Sequence, residues 1–207
     1  MDKNNYSSLA SDTQITTASK SLAEHGITVL TAENGKEAVE KVLSLIPEGR
    51  EVMTATSTTL NQLGLTETLN DSGKFDSIKN KLTKLNRETD GLEMQRIGAA
   101  PEYVVGSVHA VTEDGKVVVA SGSGSQLPAY TYGASHVIWV VSTKKIVSNL
   151  DSAFERINTH VLPQEDVRMK EVYGPESGSN VNKLFVLQRE LNPARITLIF
   201  VKEDLGF

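Results

Sequence analysis

Apolar and polar positions alternate along the chain in blocks that predict helices and strands in turn. Two early segments, 12–25 and 38–46, carry apolar residues at three- and four-residue spacing, which is typical of helices with one buried face. Short runs rich in Val and Ile predict strands between and after them. We place these strands at 27–30, 51–53, 103–105, 117–120, 137–141, 183–187 and 196–201.

Strands that alternate with helices predict an α/β, Rossmann-like fold, with a mainly parallel sheet and helices on both faces. Asp114-Gly115 between apolar residues predicts one local hairpin. Residues 165–182 are polar and contain glycine, so we interpret them as a loop, and whether it forms a lid stays open. The chain, 1–207, reads as a single domain in which 1–11 form a flexible N-terminal segment. Further helices are predicted at 59–63, 77–87, 88–98 and 151–161, the last ended by Pro163.

Three of the apolar runs end in short polar loops, and ligands of open α/β sheets bind outside the carboxyl ends of the strands. These runs are 103–105, 117–120 and 137–141. Ser107 follows the run at 103–105, and Lys144 and Lys145 follow the run at 137–141. Either lysine could neutralise a phosphate or carboxylate, and we expect one of them to point into solvent. The second run is followed by a small-residue loop, which allows close backbone approach to a ligand but is equally well explained as a tight turn. Its residues are Gly122, Ser123, Gly124, Ser125 and Gln126.

Four consecutive hydroxyl residues follow the strand at 51–53. They are Thr56, Ser57, Thr58 and Thr59. Together with the backbone donors of a helix N-terminus they could hold an anion. The alternative, a set of residues that only cap the helix, has similar weight.

His109 and Glu113 are the candidate catalytic pair. A histidine near a carboxylate is typical of a general base oriented by an acid. In the alternative interpretation, Glu113 and Asp114 serve the hairpin turn and His109 is a hydrogen-bonded residue at a strand end. Both interpretations stay open.

Composition narrows the function classes. The net charge is −5 and the chain has no cysteine. An acidic chain is a poor nucleic-acid partner, and a chain without thiolates cannot itself ligate an iron–sulfur cluster or a thiolate zinc site. Neither an 18-residue apolar run nor a secretory signal is present, so we expect a cytoplasmic protein without a membrane partner. The four histidines are scattered, so no metal site is predicted, and the residues specify no cofactor.

Several motifs resemble the lactate-utilisation (LUD) domain family. They are VGSVHAVTEDGKVVVASGSGSQL, KKIV at 144–147, TATSTTLNQLGL upstream and the helix that begins at Leu150-Asp151. The resemblance runs from Ile15 to the closing LGF and implies a fold of the NagB/RpiA/CoA transferase type. Some family members are accessory subunits of an iron–sulfur lactate-oxidising system. Many stand-alone members have Asn and Arg where this chain has Ser125-Gln126, and its lack of that Arg removes an anion clamp.

The resemblance implies an accessory or small-anion-binding component of lactate or organic-acid utilisation, with an iron–sulfur lactate-oxidising subunit as a candidate partner. The alternative is an enzyme that acts on a sugar phosphate or a CoA-type carboxylate, with Glu113 or His109 as general base. Ribose-phosphate isomerases have a similar glycine loop, but Ala120-Ser121 stand where those enzymes have a catalytic lysine. A homo-oligomer also stays open, with Tyr130 and Tyr132 as interface candidates and Trp139 favoured for the core.

Overall fold

The computed structural model describes residues 6–207, so five residues of the predicted flexible segment, 1–5, lie outside the described residues. In the described part of the chain the helices are α1 Asp12–Glu24, α2 Gly35–Leu45, α3 Thr58–Gln62, α4 Leu65–Asp71, α5 Ile78–Leu82, α6 Gly91–Ala99, α7 Leu150–Arg156 and α8 Leu162–Tyr173. The strands are β1 Thr28–Ala32, β2 Glu51–Thr54, β3 Asp76–Ser77, β4 Tyr103–Gly106, β5 Ala110–Thr112, β6 Val117–Ser121, β7 His136–Ser142, β8 Ile146–Val147, β9 Lys183–Leu187 and β10 Ile196–Val201.

Six strands form one sheet in the order β1-β10-β7-β4-β2-β3, and every neighbouring pair in it is parallel. The central strand β7 is buried along nearly its whole length, which explains its unbroken apolar run. Helices cover both faces of this sheet, so the predicted α/β fold is confirmed. All six carboxyl ends therefore meet at one edge, here called the carboxyl edge.

A second, four-stranded sheet has the order β8-β5-β6-β9. The predicted hairpin is its centre, since β5 and β6 pair antiparallel around Gly115, whose φ is +82°. Strand β9 also belongs here and runs antiparallel to β6, rather than extending the main sheet. The hairpin thus carries the chain out of the parallel sheet immediately after β4, with β5 beside β8 and β6 beside β9.

Apolar side chains from both faces of the main sheet form two large buried clusters. One contains Trp139, Phe200 and Leu22 of α1, and the other contains Ile138, Ile199 and residues of α2 and α4. Trp139 is fully buried, as favoured from the sequence, whereas Tyr132 is 91% exposed. A third cluster packs α7 against the second sheet. Within residues 6–207, no helix has the length and apolar character needed to cross a membrane.

Two predictions about the helical segments were wrong. The helix at 151–161 does not end at Pro163, because a π-helical stretch, Ile157–Val161, joins α7 to α8 and Pro163 lies in the first turn of α8. The predicted loop over 165–182 is helical as far as Tyr173, since strong helix formers and spaced ion pairs support α8. Those pairs are Arg168–Glu165 and Lys170–Asp166.

Other helix boundaries in the structure differ from the predicted ones. Gly64, at φ +66°, separates α3 from α4, and α4 was missed by the sequence analysis. The predicted helix 77–87 is helical only over Ile78–Leu82, and the one predicted at 88–98 begins at Gly91. In the described part of the N-terminal segment, Tyr6 Oη lies 3.3 Å from the Ser152 carbonyl oxygen and 3.0 Å from a Glu155 carboxylate oxygen.

Candidate functional site

Three loops at the carboxyl edge converge on the side chain of Lys145. Its Nζ lies 3.3 Å from Thr59 Oγ1, 3.2 Å from Ser107 Oγ and 3.2 Å from the Val108 carbonyl oxygen. Thr59 lies in the first turn of α3, which follows β2, Ser107 follows β4, and Lys145 ends a 3₁₀ turn after β7. The parallel order of these three strands therefore brings together residues that are widely separated in sequence.

Both lysines of the pair are buried, so the prediction that one points into solvent was wrong. Lys144 is 7% and Lys145 is 3% exposed. Lys144 Nζ forms an ion pair with Asp204 and donates to the Gly206 carbonyl oxygen at 2.6 Å. The 3₁₀ turn sends the two side chains in different directions, and the end of the chain covers the one that would otherwise reach water.

No carboxylate pairs with Lys145 among residues 6–207. Burial lowers the pKa of its amine well below the ordinary value of 10.5, and the charges of Arg156 and Lys144 lower it further. An amine with a lowered pKa in a dry site is a candidate proton acceptor or nucleophile, and its ammonium form is an anion ligand.

Arg156, at the end of α7, is a second buried basic residue near this site. It contacts the segment 108–109, as Lys145 does, and was missed by the sequence analysis. Its Nη1 donates to the His109 carbonyl oxygen at 2.6 Å, next to the Val108 carbonyl that accepts from Lys145. Its Nε and Nη2 have no hydrogen-bond partner in the described chain, and burial lowers its pKa to about 10. Arg156 lies three residues after Ala153 and one before Ile157, so its position on the apolar face was the available signal.

His109 makes the contacts of a strand-end residue. Its Nδ1 accepts a hydrogen bond from the Ala120 N–H at 3.1 Å, so the neutral ring carries its proton on Nε2. Burial lowers its pKa to about 3, and the Lys145 and Arg156 charges act in the same direction. A neutral ring whose basic nitrogen already accepts a backbone hydrogen bond is a weak general base at neutral pH.

We predict that His109 makes the fold sensitive to acid. The pKa is 6.5 in an ordinary environment and about 3 in the folded protein, so protonation favours the unfolded chain. The contribution is complete above pH 6.5 and is lost as the pH falls towards 3. Since the side chain is partly exposed, we expect a loss on the order of 2 kcal/mol rather than the full value of the shift.

Urea unfolding at a series of pH values tests this expectation in the natural chain and in His109→Asn, whose side-chain oxygen can still accept from Ala120. Carboxylates with lowered pKa values, such as Glu190 and Asp166, also make the free energy of unfolding fall in acid, and they do so equally in both proteins. The difference between the two proteins therefore isolates His109. Equal pH slopes between 6.5 and 3 would contradict the prediction.

Glu113 lies at the other end of the hairpin from the Lys145 site. Four residue steps separate it from His109, or about 13 Å of extended chain. Its Oε1 accepts from Gln14 Nε2 of α1 at 3.1 Å, and its N–H donates to the Val147 carbonyl oxygen. The structure therefore does not bring Glu113 and His109 together as a base and its orienting acid. Asp114 pairs with Thr112 and Lys116 within the turn.

The small-residue loop after β6 lies at the end of the hairpin near His109, because β6 runs antiparallel to β5. Most of its hydrogen bonds join residues at 121–126 to one another. Ser121 Oγ donates to Gln126 Oε1 at 3.0 Å and accepts from the Gly124 N–H at 2.8 Å, and Ser123 Oγ lies 3.2 Å from Ser125 Oγ. Asn182 donates to the Gly122 carbonyl oxygen. These bonds are those of a tight turn, and none reaches Lys145.

The four hydroxyl residues at 56–59 differ in the roles considered for them, anion binding and helix capping. Ser57 caps α3 by accepting from the Leu60 N–H at 3.3 Å. Thr59 is 1% exposed and contacts Lys145. Thr56 is exposed and Thr58 is half-buried, and neither contacts the lysine. Thr59 is therefore the one of the four that belongs to the site.

Residues 203–207, here called the C-terminal segment, lie across the carboxyl edge. Leu205 is buried in the core, Ser142 Oγ donates to the Glu203 carbonyl oxygen at 2.6 Å, and the Gly206 N–H donates to Gln62 Oε1 at 2.7 Å. A Cβ at Gly206 would stand 2.3 Å from Thr59 Oγ1 and 3.2 Å from Lys145 Nζ, so only glycine fits there. The segment thus covers the amine, and nothing in the sequence indicated this.

The residues described here contain no cluster of His, Asp and Glu able to hold a metal ion. A surface cavity of about 510 Å³ lies at the opposite edge of the main sheet, near Gly26, Thr28 and Pro193. Lys145 itself is 3% exposed beneath the C-terminal segment, so its site is a closed polar cluster rather than an open cleft.

Comparison with known proteins agrees with this architecture. The profile of the LUD domain matches residues 15–201. A DUF162 family protein from Deinococcus radiodurans matches in structure with a TM-score of 0.59 at 12% identity, over 94% of this chain and 99% of that chain. At that identity the likeness shows the fold alone.

Ribose 5-phosphate isomerase A from Neisseria gonorrhoeae matches with a TM-score of 0.39 at 14% identity, over 86% of this chain and 97% of that chain, which is too weak to support a conclusion. A comparison with curated proteins found no match. The resemblance seen in the sequence motifs is confirmed by the profile, which spans most of the chain. The protein belongs to the LUD domain family, which is associated with lactate utilisation.

Proposed function

We propose that the protein binds a small anionic metabolite of organic-acid utilisation at the Lys145 site. The observation that carries the proposal is the presence of two buried basic side chains, Lys145 and Arg156, that contact neighbouring carbonyl groups at 108–109 and have no carboxylate paired to either in residues 6–207. Buried charges are ordinarily paired, since an isolated one is costly to remove from water. A bound anion would supply the missing partner.

The site offers an anion both charge and neutral donors. Thr59 and Ser107 place hydroxyl groups within 3.3 Å of the amine, and Nε and Nη2 of Arg156 have no hydrogen-bond partner among residues 6–207. A carboxylate or phosphate accepts several such hydrogen bonds at once. Because the C-terminal segment covers Lys145, binding includes its displacement.

An accessory role is part of the proposal. The chain has no cysteine and so cannot carry a cluster on its own thiolates. A member of this family that handles a redox substrate therefore needs an electron-transfer partner, for which an iron–sulfur lactate-oxidising subunit is the candidate.

Calorimetric titration with lactate, pyruvate and inorganic phosphate tests the proposal. We expect Lys145→Met to weaken binding at least 30-fold, or about 2 kcal/mol, because one partner of a buried charge pair is lost. Lys20→Met is the matched control, since Lys20 is an exposed lysine of α1 that faces only Glu24. Binding that is equal in Lys145→Met and the natural chain, or absent for every anion in the natural chain, would contradict the proposal.

Binding should also take up protons. The anion stabilises the ammonium form and raises the pKa of Lys145 from its low value in the free protein, so affinity falls as the pH rises between the two values. Arg156, Lys144 and the neutral His109 are the ionisable groups that surround the amine. Titration in buffers of different ionisation enthalpy measures the uptake, which should disappear in any residual binding by Lys145→Met.

A further inference from the structure

The amine of Lys145 lies in an environment unlike that of the other buried lysine. Its three neighbours are neutral oxygens, two hydroxyl and one carbonyl, at 3.2 to 3.3 Å. Lys144, on the adjacent position of the same turn, is held by a carboxylate. A hydroxyl can donate to the lone pair of a neutral amine, whereas an ammonium has no acceptor. These contacts fit a neutral amine as well as they fit a cation.

We propose that Lys145 forms an imine with a small 2-oxo acid that binds at this site. The proposal deepens the proposed function, on which it rests for the recognition of the acid group. Neutral lysines in dry sites are the amines that form imines with carbonyl substrates. The inference names a substrate class, a carbonyl compound with an adjacent carboxylate, and a covalent step.

The step balances without any further reactant. The Nζ lone pair attacks the carbonyl carbon, a C–N bond forms, and the carbonyl oxygen takes a proton to give a carbinolamine. Loss of the hydroxyl as water then leaves a C=N bond, so amine and carbonyl become imine and one water. Thr59 and Ser107 lie within hydrogen-bond reach of the nitrogen and can pass the protons between nitrogen and oxygen.

The second cation determines which carbonyl compounds fit. Arg156 donates to the carbonyl of His109, next to the one that accepts from Lys145, and its Nε and Nη2 have no partner in the described part of the chain. A guanidinium binds a carboxylate in bidentate fashion. A 2-oxo acid presents a carbonyl carbon and a carboxylate on neighbouring atoms, and the amine and the guanidinium donate to the neighbouring carbonyl groups of Val108 and His109.

Reductive trapping of the full chain with pyruvate and cyanoborohydride, followed by intact mass and peptide mapping, tests the proposal. We expect one adduct on Lys145, at least tenfold above any adduct on exposed lysines such as Lys20. Lys20→Met, the control at an exposed lysine of α1, should keep the adduct, and Lys145→Arg should lose it. Acetone, which has the carbonyl without the charge, should be trapped at least tenfold less.

The outcomes separate this proposal from the proposed function. Lactate and phosphate cannot form imines, so their calorimetric binding reports on the anion site alone. A protein that binds these anions and pyruvate but gives no adduct on Lys145 overturns the imine and leaves the anion site standing. Adducts spread evenly over surface lysines, or equal trapping of acetone, overturn it as well. Loss of binding to every anion, with no adduct, overturns both proposals.

Discussion

Replacement of Arg195 by methionine should lower the free energy of unfolding by about 3–5 kcal/mol, the range for breaking a buried ion pair on one side. The guanidinium joins three parts of the fold. It pairs with Glu190 at 2.8 Å and donates to the carbonyl oxygens of Ala129, Tyr130 and Ala134 at 2.9 to 3.0 Å. Methionine fills a similar volume but leaves the carboxylate and three carbonyls without their donor.

Arg168→Met is the matched control, because Arg168 also forms a two-point pair with a glutamate, Glu165, but within one helix and partly in water. For Arg168→Met we expect the free energy of unfolding to fall by about 0.5 kcal/mol. Urea unfolding of both variants at neutral pH gives the comparison. Similar losses in the two proteins would show that burial and the carbonyl bonds of Arg195 do not matter as argued.

Gly106→Ala should lower the free energy of unfolding by a similar amount, about 3 kcal/mol or more, because overpacking a rigid core displaces the backbone. A Cβ there would stand 1.7 Å from Tyr130 Oη and 2.9 Å from its Cζ. Tyr130 cannot withdraw, because it is fully buried, packs edge-on against Trp139 with ring centroids 5.4 Å apart, and has its carbonyl held by Arg195. We expect the thermal midpoint to fall and Ser107 to shift.

Two further variants make this prediction specific. Tyr130→Phe combined with Gly106→Ala removes the clashing oxygen and should recover part of the lost stability. Gly98→Ala adds the same methyl group to a buried glycine with open space around it and should stabilise α6 by up to about 1 kcal/mol. A harmless Gly106→Ala, or no recovery in the double variant, would contradict the steric explanation.

Sequence reasoning succeeded where a regular pattern carried the information. The alternation of strands and helices predicted the parallel sheet, and the segments after its strands, which were expected to hold the site, include the neighbours Thr59, Ser107 and Lys145. Glu113 was misplaced because the hairpin reverses the chain after β4, so closeness in sequence to His109 became distance along a strand.

The remaining errors have tertiary causes. Arg156 looked like an ordinary helix residue, and only packing of α7 against the second sheet shows that its charge is buried. Lys144 is covered by residues 60 positions later, a contact that no local pattern encodes. Pro163 predicts a helix end by its missing N–H, but a π-helical stretch before it lets the helix continue.

The C-terminal segment also has a thermodynamic consequence for any ligand of Lys145. If a ligand binds at Lys145 by displacing this segment, as we propose, only the fraction of molecules in which Leu205 and Gly206 are released is competent. The apparent dissociation constant is then the intrinsic one divided by that fraction. A weak affinity measured on this protein can therefore conceal a strong site, and the observed association rate will level off at the rate at which the segment opens.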